Sequence, residues 1–299
     1  MFVNFNGLLF LAGYLFFFFG VLWGVLWWYR KRRQTRHPLP ENVKLLRMPG
    51  EYLWRRVIEH DEADLQWFAA ASLLPILASG GVLYVFAKFF RSSLSLGLLV
   101  CFILLLVSML FSMHLLQHRL QRRADDYLGF FGERYVAEWL DPLKMEGWFV
   151  FHDVPCEGAT GKFNIDHVAV GPGGVWLIET KTRRKGRARP GFKDHEVVFE
   201  GGPIIWPWCD DTECLNQAWD NVGWLVEWLE KMTGKVFDIA AVLAFPGYYV
   251  IEKKLGPIRV ANPKRLPEVL ISRGIDVLNK QDIDLIRRQL EEKCRDVEY

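Results

Sequence analysis

Three long runs of apolar positions dominate the first 116 residues of the chain. They cover residues 7–28, 67–87 and 94–116, and the second is interrupted by a proline and two glycines. About 20 apolar residues cross the hydrocarbon core of a bilayer as a helix. The pattern therefore predicts three transmembrane helices, the last two of which form a helical hairpin.

Basic residues predict the orientation of these helices. No Lys or Arg precedes the first run, whereas five basic residues follow it within residues 30–36. Such a cluster is typical of the cytoplasmic flank of a membrane helix and argues against a cleaved signal peptide. We therefore expect a multi-pass protein of the cell (inner or plasma) membrane. Its N-terminus lies outside, and residues 29–66 and 117–299 lie in the cytosol.

The hydrophobic period changes after residue 117, where the pattern becomes that of a mixed α/β domain. Alternation predicts strands, and apolar positions three or four residues apart predict helices. One mixed sheet with helices on its faces is expected. The predicted helices cover residues 124–140, 213–232, 263–272 and 280–293, and the predicted strands cover residues 147–154, 163–170, 175–181, 196–199, 204–206, 236–245 and 258–261.

Charge divides the chain at the same place. Residues 1–116 contain 11 Lys or Arg and 6 Asp or Glu, a charge of +5, and the remainder contains 26 and 29, a charge of −3. Five cysteines form neither a disulfide framework nor a zinc-ligand pattern, which indicates reduced thiols in the cytosol. The predicted organisation is residues 1–37 for the first helix and basic stop signal, 38–66 for a cytosolic linker, 67–117 for the helical hairpin, 118–250 for the main α/β domain and 251–299 for its C-terminal helical extension.

Candidate chemistry lies on the second and third predicted strands. Folding this hairpin about a centre between residues 172 and 173 sets Asp166 opposite Glu179, and Lys181 shares a face with Glu179. A bulge at Gly174 would shift the register by one residue. Two close carboxylates repel each other unless a cation joins them, and hard oxygen ligands favour Mg²⁺ or Mn²⁺. This constellation is typical of a metal-dependent phosphodiesterase.

The Glu-x-Lys pattern alone is not specific to one place in this chain. It also occurs at Glu252–Lys254 and at Glu291–Lys293. The last pair lies on a predicted helix and is interpreted as a solvated charge run. Asp238 precedes Glu252 by a strand and a turn, so spacing alone leaves this second candidate open.

The surrounding motifs resemble those of the nuclease-related domain (NERD) family of the PD-(D/E)XK, restriction-endonuclease-like superfamily. The resemblance covers roughly residues 125–245 and excludes the apolar runs and the last 50 or so residues. It implies a restriction-endonuclease-like mixed sheet flanked by helices and preceded here by three transmembrane helices. The motifs that carry it are Gly129-Phe130-Phe131-Gly132-Glu133, Trp148, Asp153-Val154, Asn164-Ile165-Asp166-His167, Gly173-Gly174-Val175, Ile178-Glu179-Thr180-Lys181 and Leu215-Asn216-Gln217.

The resemblance also implies roles for individual residues. Asp166 and Glu179 would bind the metal, Lys181 would be the catalytic lysine, and Glu133 would join or support the metal site from its helix. Gln217 would help to position phosphate or water. The superfamily's usual proline before the first acid is replaced by Ile165. The neighbouring His167 points to the opposite face, where we expect it to pack.

A run of cations follows the candidate site directly. It comprises six cations within nine residues: Lys181, Arg183, Arg184, Lys185, Arg187 and Arg189. The last five are predicted to hold a nucleic-acid backbone, since phosphates are neutralised by Lys and Arg. Contact with anionic lipid headgroups is the alternative. The sequence does not separate DNA from RNA, and the superfamily relationship favours DNA.

Three functions are consistent with the sequence. The leading hypothesis is a membrane-anchored, Mg²⁺-dependent deoxyribonuclease that acts on the cytosolic face in DNA processing or defence. The second is a non-catalytic module that binds nucleic acid or protein at the membrane. The third is a membrane scaffold whose C-terminal helices, within residues 263–299, recruit a protein partner.

Overall fold

The computed structural model describes residues 5–32, 43–89, 94–158, 161–274 and 277–298. The helices are α1 (Phe5–Arg32), α2 (Glu51–Phe89), α3 (Leu94–Leu140), α4 (Glu213–Thr233), α5 (Leu266–Ile271) and α6 (Lys280–Cys294). The strands are β1 (Lys44–Leu45), β2 (Phe149–Gly158), β3 (Gly161–Gly171), β4 (Gly174–Thr180), β5 (Glu196–Phe199), β6 (Ile204–Ile205), β7 (Asp210–Asp211), β8 (Ile239–Ala244), β9 (Tyr249–Glu252), β10 (Ile258–Ala261) and β11 (Val297–Glu298).

The chain divides into two units. The first contains Met1–Leu45 and Glu298–Tyr299, and it includes the long apolar helix α1. The second contains Leu46–Val297 and includes the remaining helices and both larger sheets.

Among the described residues, one helical stretch, Ser95–Glu146, is long and apolar enough by length and composition to cross a membrane. Phe16–Val25 is a shorter apolar stretch within α1. The prediction of three transmembrane helices is therefore not supported. Residues 7–28 and 67–87 are helical, as predicted, but their described side chains do not form a second or third stretch of sufficient length.

Helices α2 and α3 form an antiparallel pair whose polar ends are joined by ion pairs. Arg56 lies 3.2 Å from Asp126, Arg123 pairs with Asp61, and the Arg119 guanidinium stacks over the Trp67 ring. Residues 51–66, which were predicted to belong to a linker, are thus the first part of α2. Helix α3 continues without a break from the apolar stretch to Leu140, and therefore includes the predicted helix over residues 124–140.

The central sheet of the second unit has five strands in the order β10-β8-β4-β3-β2. Strands β2, β3 and β4 are antiparallel, whereas β8 pairs parallel with both β4 and β10. Helices α4 and α6 pack on one face, and the end of α3 packs with α5 on the other. The result is the predicted α/β arrangement of a mixed sheet flanked by helices.

A second sheet has four strands in the order β7-β6-β5-β9, so the prediction of one sheet is wrong. Its strands are only two to four residues long. Such short strands leave little alternation for a sequence pattern to detect. The β5–β6 hairpin itself lies where it was predicted.

The β3–β4 hairpin has the register that the sequence predicts. Gly171 pairs with Gly174 around the two-residue turn Pro172-Gly173, and His167 pairs with Ile178. Gly174 adopts a φ of 104°, which favours glycine. The register does not slip, so the next residues outward from the turn place Asp166 opposite Glu179.

Candidate active site

Glu179 is the acid around which the site is organised, and its side chain is 1% exposed. Its Oε2 accepts hydrogen bonds from Lys181 Nζ at 3.2 Å and from Gln217 Nε2 at 3.3 Å. Its Oε1 accepts one from Asn221 Nδ2 at 2.8 Å. Gln217 and Asn221 are four residues apart on α4, and therefore share the helix face that meets the end of β4.

Lys181 bridges the sheet and the helix at this point. Its ammonium donates to Gln217 Oε1 at 2.8 Å as well as to Glu179. Burial lowers the pKa of Lys181, but the carboxylates of Glu179 and Asp166 outweigh burial and raise the pKa above its ordinary value. Lys181 is therefore an ammonium at neutral pH, held in place by two acceptors.

Asp166 faces the same cluster from β3. Its Oδ2 accepts a hydrogen bond from the backbone N–H of Thr180 at 2.7 Å. Burial, followed by the neighbouring Glu179 carboxylate, raises the pKa of Asp166 well above its usual value, although Lys181 opposes this shift. The ionised form of Asp166 thus lacks sufficient compensation from the protein alone.

Glu133 approaches the acids from α3 and is 6% exposed. Its Oε2 is buried and has no hydrogen-bond partner. Burial and the charges of Asp166, Asp153 and Glu179 raise the pKa of Glu133 to about 10. The residue before Glu133 is Gly132. A side chain at this position would not fit, because its Cβ would lie 1.9 Å from Thr182 Oγ1.

The residues fit a divalent cation in an open site. Three carboxylates converge, two of them with raised pKa values, and one has an unpartnered buried oxygen. Among the described residues, no group of three or more His, Cys, Asp or Glu forms a preassembled metal cluster. Such an incomplete set suits Mg²⁺, which keeps several waters and uses one or two carboxylates.

The structure therefore brings together all five residues predicted as catalytic: Glu133, Asp166, Glu179, Lys181 and Gln217. The alternative Glu-x-Lys does not form such a cluster. Glu252 accepts three hydrogen bonds from Arg259 and one from the Val260 backbone, and Asp238 pairs with Arg273. An acid held in this way by a guanidinium has few free lone pairs for a metal.

The predicted phosphate-binding cations lie on the irregular segment after β4, but they are not equivalent. Arg183 lies 2.5 Å from Asp211, and Arg189 lies 2.7 Å from Asp210. Arg184 forms an exposed pair with Asp125, and the Lys185 ammonium lies over the Tyr248 ring. Arg187 is exposed and has no partner among the described residues. The free positive charge is therefore smaller than the sequence indicates.

Two features of the site were missed by sequence reasoning. Asn221 orients Glu179, and its spacing of four residues from Gln217 is the signal that predicts a shared helix face. Arg47 was also missed: it lies 2.8 Å from Asp153, the buried carboxylate of the motif Asp153-Val154. No local pattern links these two residues, which are far apart in the sequence. His167 is buried against His152, and its predicted packing role is confirmed.

This arrangement defines a class of α/β proteins in which carboxylates and a lysine meet at the end of a strand hairpin. Comparison with protein families finds a nuclease-related domain, NERD, at residues 128–246. The resemblance to the NERD family deduced for residues 125–245 is thus confirmed for this part of the chain, whereas the PD-(D/E)XK type stays a prediction. Among the curated proteins, none matches the chain.

Among solved structures, the chain is similar to AF1548, described as a protein of unknown function. The identity is 18%, and the match covers 52% of this chain and 78% of that one. Its TM-score is 0.24, which is too low to support a structural argument.

Proposed function

We propose that the chain is a membrane-anchored, Mg²⁺- or Mn²⁺-dependent nuclease of the PD-(D/E)XK type that hydrolyses DNA phosphodiester bonds on the cytosolic face. The observation that carries the proposal is the convergence of Asp166, Glu179 and Lys181 beside Glu133, inside the nuclease-related domain. Helix α3 supports the anchor, because it joins a stretch that is long and apolar enough to cross a membrane to Glu133.

Asp166, Glu179 and Glu133 are the residues that would hold the cation. The chemistry that a cation would supply there is a lowered pKa for water and neutralisation of charge on a phosphate oxygen. Lys181 has three N–H donors, two of which are directed to Glu179 and Gln217. The third is available to a phosphate oxygen, where the ammonium stabilises the negative charge that develops during hydrolysis. Gln217 orients Lys181, and Asn221 orients Glu179.

The substrate's backbone would follow the exposed cations beside the site. Arg184, Lys185 and Arg187 are all exposed, and Arg187 has no partner among the described residues. Arg183 and Arg189 are already paired with acids, so they shape the segment and contribute less free charge. DNA is the proposed substrate, and RNA is the alternative that the same cations would bind.

A non-catalytic binding module at the membrane is the second candidate. It is favoured by the exposed cations Arg184, Lys185 and Arg187, which can bind a phosphate backbone whether or not a metal is bound. In that case these cations would bind nucleic acid without cutting it.

The test uses the full chain in detergent micelles with supercoiled and linear DNA, in Mg²⁺, Mn²⁺ or EDTA. The nuclease proposal predicts cutting that requires the metal and is lost in Asp166→Asn. Equal cutting by Asp166→Asn would refute the assignment of this acid. Salt-sensitive binding without cutting, which survives Glu179→Ala and is independent of metal, would establish the binding module instead. Parallel reactions with RNA distinguish the two substrates.

A further inference from the structure

The segment that precedes α2 is attached to the back of the candidate site through Arg47. Its Nη1 donates to Asp153 Oδ2 at 2.8 Å, and its Nε and Nη2 donate to the two carboxylate oxygens of Asp296, each at 2.7 Å. The Arg47 backbone N–H also donates to the carbonyl oxygen of Cys294 at 3.1 Å. One guanidinium therefore joins three parts of the chain: the segment before α2, strand β2 and the residues that follow α6.

Asp153 occupies an unusual position on β2. The neighbouring pairs are His152 with His167 and Val154 with Ile165, so Asp153 lies across from Asp166 on β3. Among the described residues, it is the only non-glycine with positive φ, at 48°. Asp and Asn adopt this conformation more readily than other residues with a side chain. A strained backbone persists only where its surroundings hold it, and such positions gather at functional sites.

The partners of Asp153 provide this support. Besides Arg47, the Asp153 carboxylate accepts hydrogen bonds from the Tyr52 backbone N–H at 3.1 Å and from Asn164 Nδ2 at 3.0 Å. Asn164 lies two residues before Asp166 on the same strand. Asp153 is 3% exposed, so its partners are protein groups and not bulk solvent.

The same segment also contacts the surroundings of Glu133. A Cβ at Gly50 would lie 2.7 Å from the Phe130 ring, three residues before Glu133, and the backbone of Gly50 lies close enough to lower the pKa of Glu133. Arg47 and Tyr52 lie on either side of Gly50. The contacts of Arg47 thus fix a segment that packs on the helix of Glu133, and they also fix the strand that lies beside Asp166.

We propose that Arg47 is a positioning residue of the candidate metal site. By bridging Asp153 and Asp296, it seats the start of α2 against β2 and so fixes the positions of Glu133 and Asp166 relative to each other. The inference rests on the proposed function, because it concerns the same acids. It extends the site beyond residues 128–246 to a residue that precedes both helices of the hairpin.

A through-space charge effect and a positioning role predict opposite signs for Arg47→Ala. Removing a cation near three carboxylates strengthens binding of Mn²⁺ if only charge matters. Removing a positioning group weakens binding. Substitution of a residue that holds a metal ligand in place lowers the metal affinity by about 10- to 100-fold. The sign of the change therefore separates the two roles.

The experiment measures Mn²⁺ binding to the full chain in detergent micelles by electron paramagnetic resonance, which is independent of cleavage. We expect Arg47→Ala to bind Mn²⁺ at least about tenfold more weakly than the natural chain. Arg288→Ala is the matched control, because Arg288 is exposed on α6 and forms no ion pair with the described residues. Unchanged or tighter binding by Arg47→Ala, while the natural chain binds Mn²⁺, would overturn this inference and leave the proposed function intact.

Two further measurements complete the test. Arg47 lines an open cavity of about 380 Å³, so added ethylguanidinium is expected to enter and restore Mn²⁺ binding to Arg47→Ala. Lack of rescue in a folded variant would count against a positioning role.

Should circular dichroism show that Arg47→Ala is unfolded, Arg47→Lys takes its place. Lysine cannot bridge both acids in the same geometry, so a several-fold loss is expected and normal affinity would overturn the inference. No Mn²⁺ binding by the natural chain would refute the proposed function as well.

Discussion

Replacing Glu133 by glutamine tests the electrostatics of the candidate site. The Glu133 carboxyl is buried beside three other acids, which together with burial raise its pKa from 4.5 to about 10. The folded protein without metal therefore holds this proton at pH 7, whereas the unfolded chain releases it near pH 4.5. Because the folded state binds more protons in this window, the free energy of unfolding falls as the pH rises.

The size of this stability change follows from the difference between pH 4.5 and pH 7. One pKa unit corresponds to about 1.4 kcal/mol, so the protein without metal loses about 3 kcal/mol of stability over this interval through Glu133. Glutamine has no proton to release. Glu133→Gln is therefore expected to be about 3 kcal/mol more stable than the natural chain at pH 7, with the difference vanishing near pH 4.5.

The assay is urea unfolding of the detergent-solubilised chain in EDTA, followed by tryptophan fluorescence at both pH values. Glu138→Gln is the matched control, since Glu138 is exposed on the same helix. Equal stability of Glu133→Gln and the natural chain at pH 7 would refute the reasoning. Adding Mn²⁺ is expected to stabilise the natural chain and not the variant, because a ligand that binds only the folded state raises its stability.

Three further predictions concern the surroundings of the site. Asn221→Ala removes the buried amide donor to Glu179 and is expected to lower the free energy of unfolding by about 1.5–3 kcal/mol in the same urea assay. Gly132→Ala places a Cβ against the Thr182 side chain and is expected to cost about 1–3 kcal/mol. Arg187→Gln is expected to reduce the slope of log DNA affinity against log salt concentration by about 1, measured by fluorescence anisotropy.

Each of these predictions has a matched control. Asn216→Ala changes an exposed amide on α4 and is expected to leave stability unchanged. An equal loss of stability in Asn216→Ala would show that the hydrogen bond of Asn221 to Glu179 does not account for the effect. Thr182→Ala in the Gly132→Ala background shortens the opposing side chain and is expected to recover part of the loss. Arg189→Gln, whose guanidinium is already paired with Asp210, is expected to change the salt slope less than Arg187→Gln. The reverse order would contradict the assignment of free charge.

Local patterns predicted the parts of the fold that depend on local chemistry. The β3–β4 register follows from the two-residue turn and the alternation of side chains. Helix α4 ends near its predicted boundary because Gly234 adopts a φ of 72° as its C-cap. Asp166, Glu179 and Lys181 could be placed together for the same reason, since one hairpin contains all three.

Contacts between distant parts of the chain were not predictable in this way. Arg47 and Asp153 are 106 residues apart, and neither lies in a pattern that identifies the other. The second sheet joins β5 to β9 in parallel across an intervening helix. Residues 51–66 are polar and mixed, so the sequence suggested a linker, whereas ion pairs with α3 accommodate these charges in a helix.

The most direct test of the proposed nuclease compares Lys181→Ala with Lys254→Ala in DNA cleavage by the full chain with Mg²⁺ or Mn²⁺. Both variants remove the lysine of a Glu-x-Lys sequence, but only Lys181 contacts Glu179 and Gln217. Metal-dependent cutting that is lost in Lys181→Ala and kept in Lys254→Ala is the predicted result. Undiminished cutting by Lys181→Ala, or no cutting by the natural chain with either metal while DNA is still bound, would contradict it.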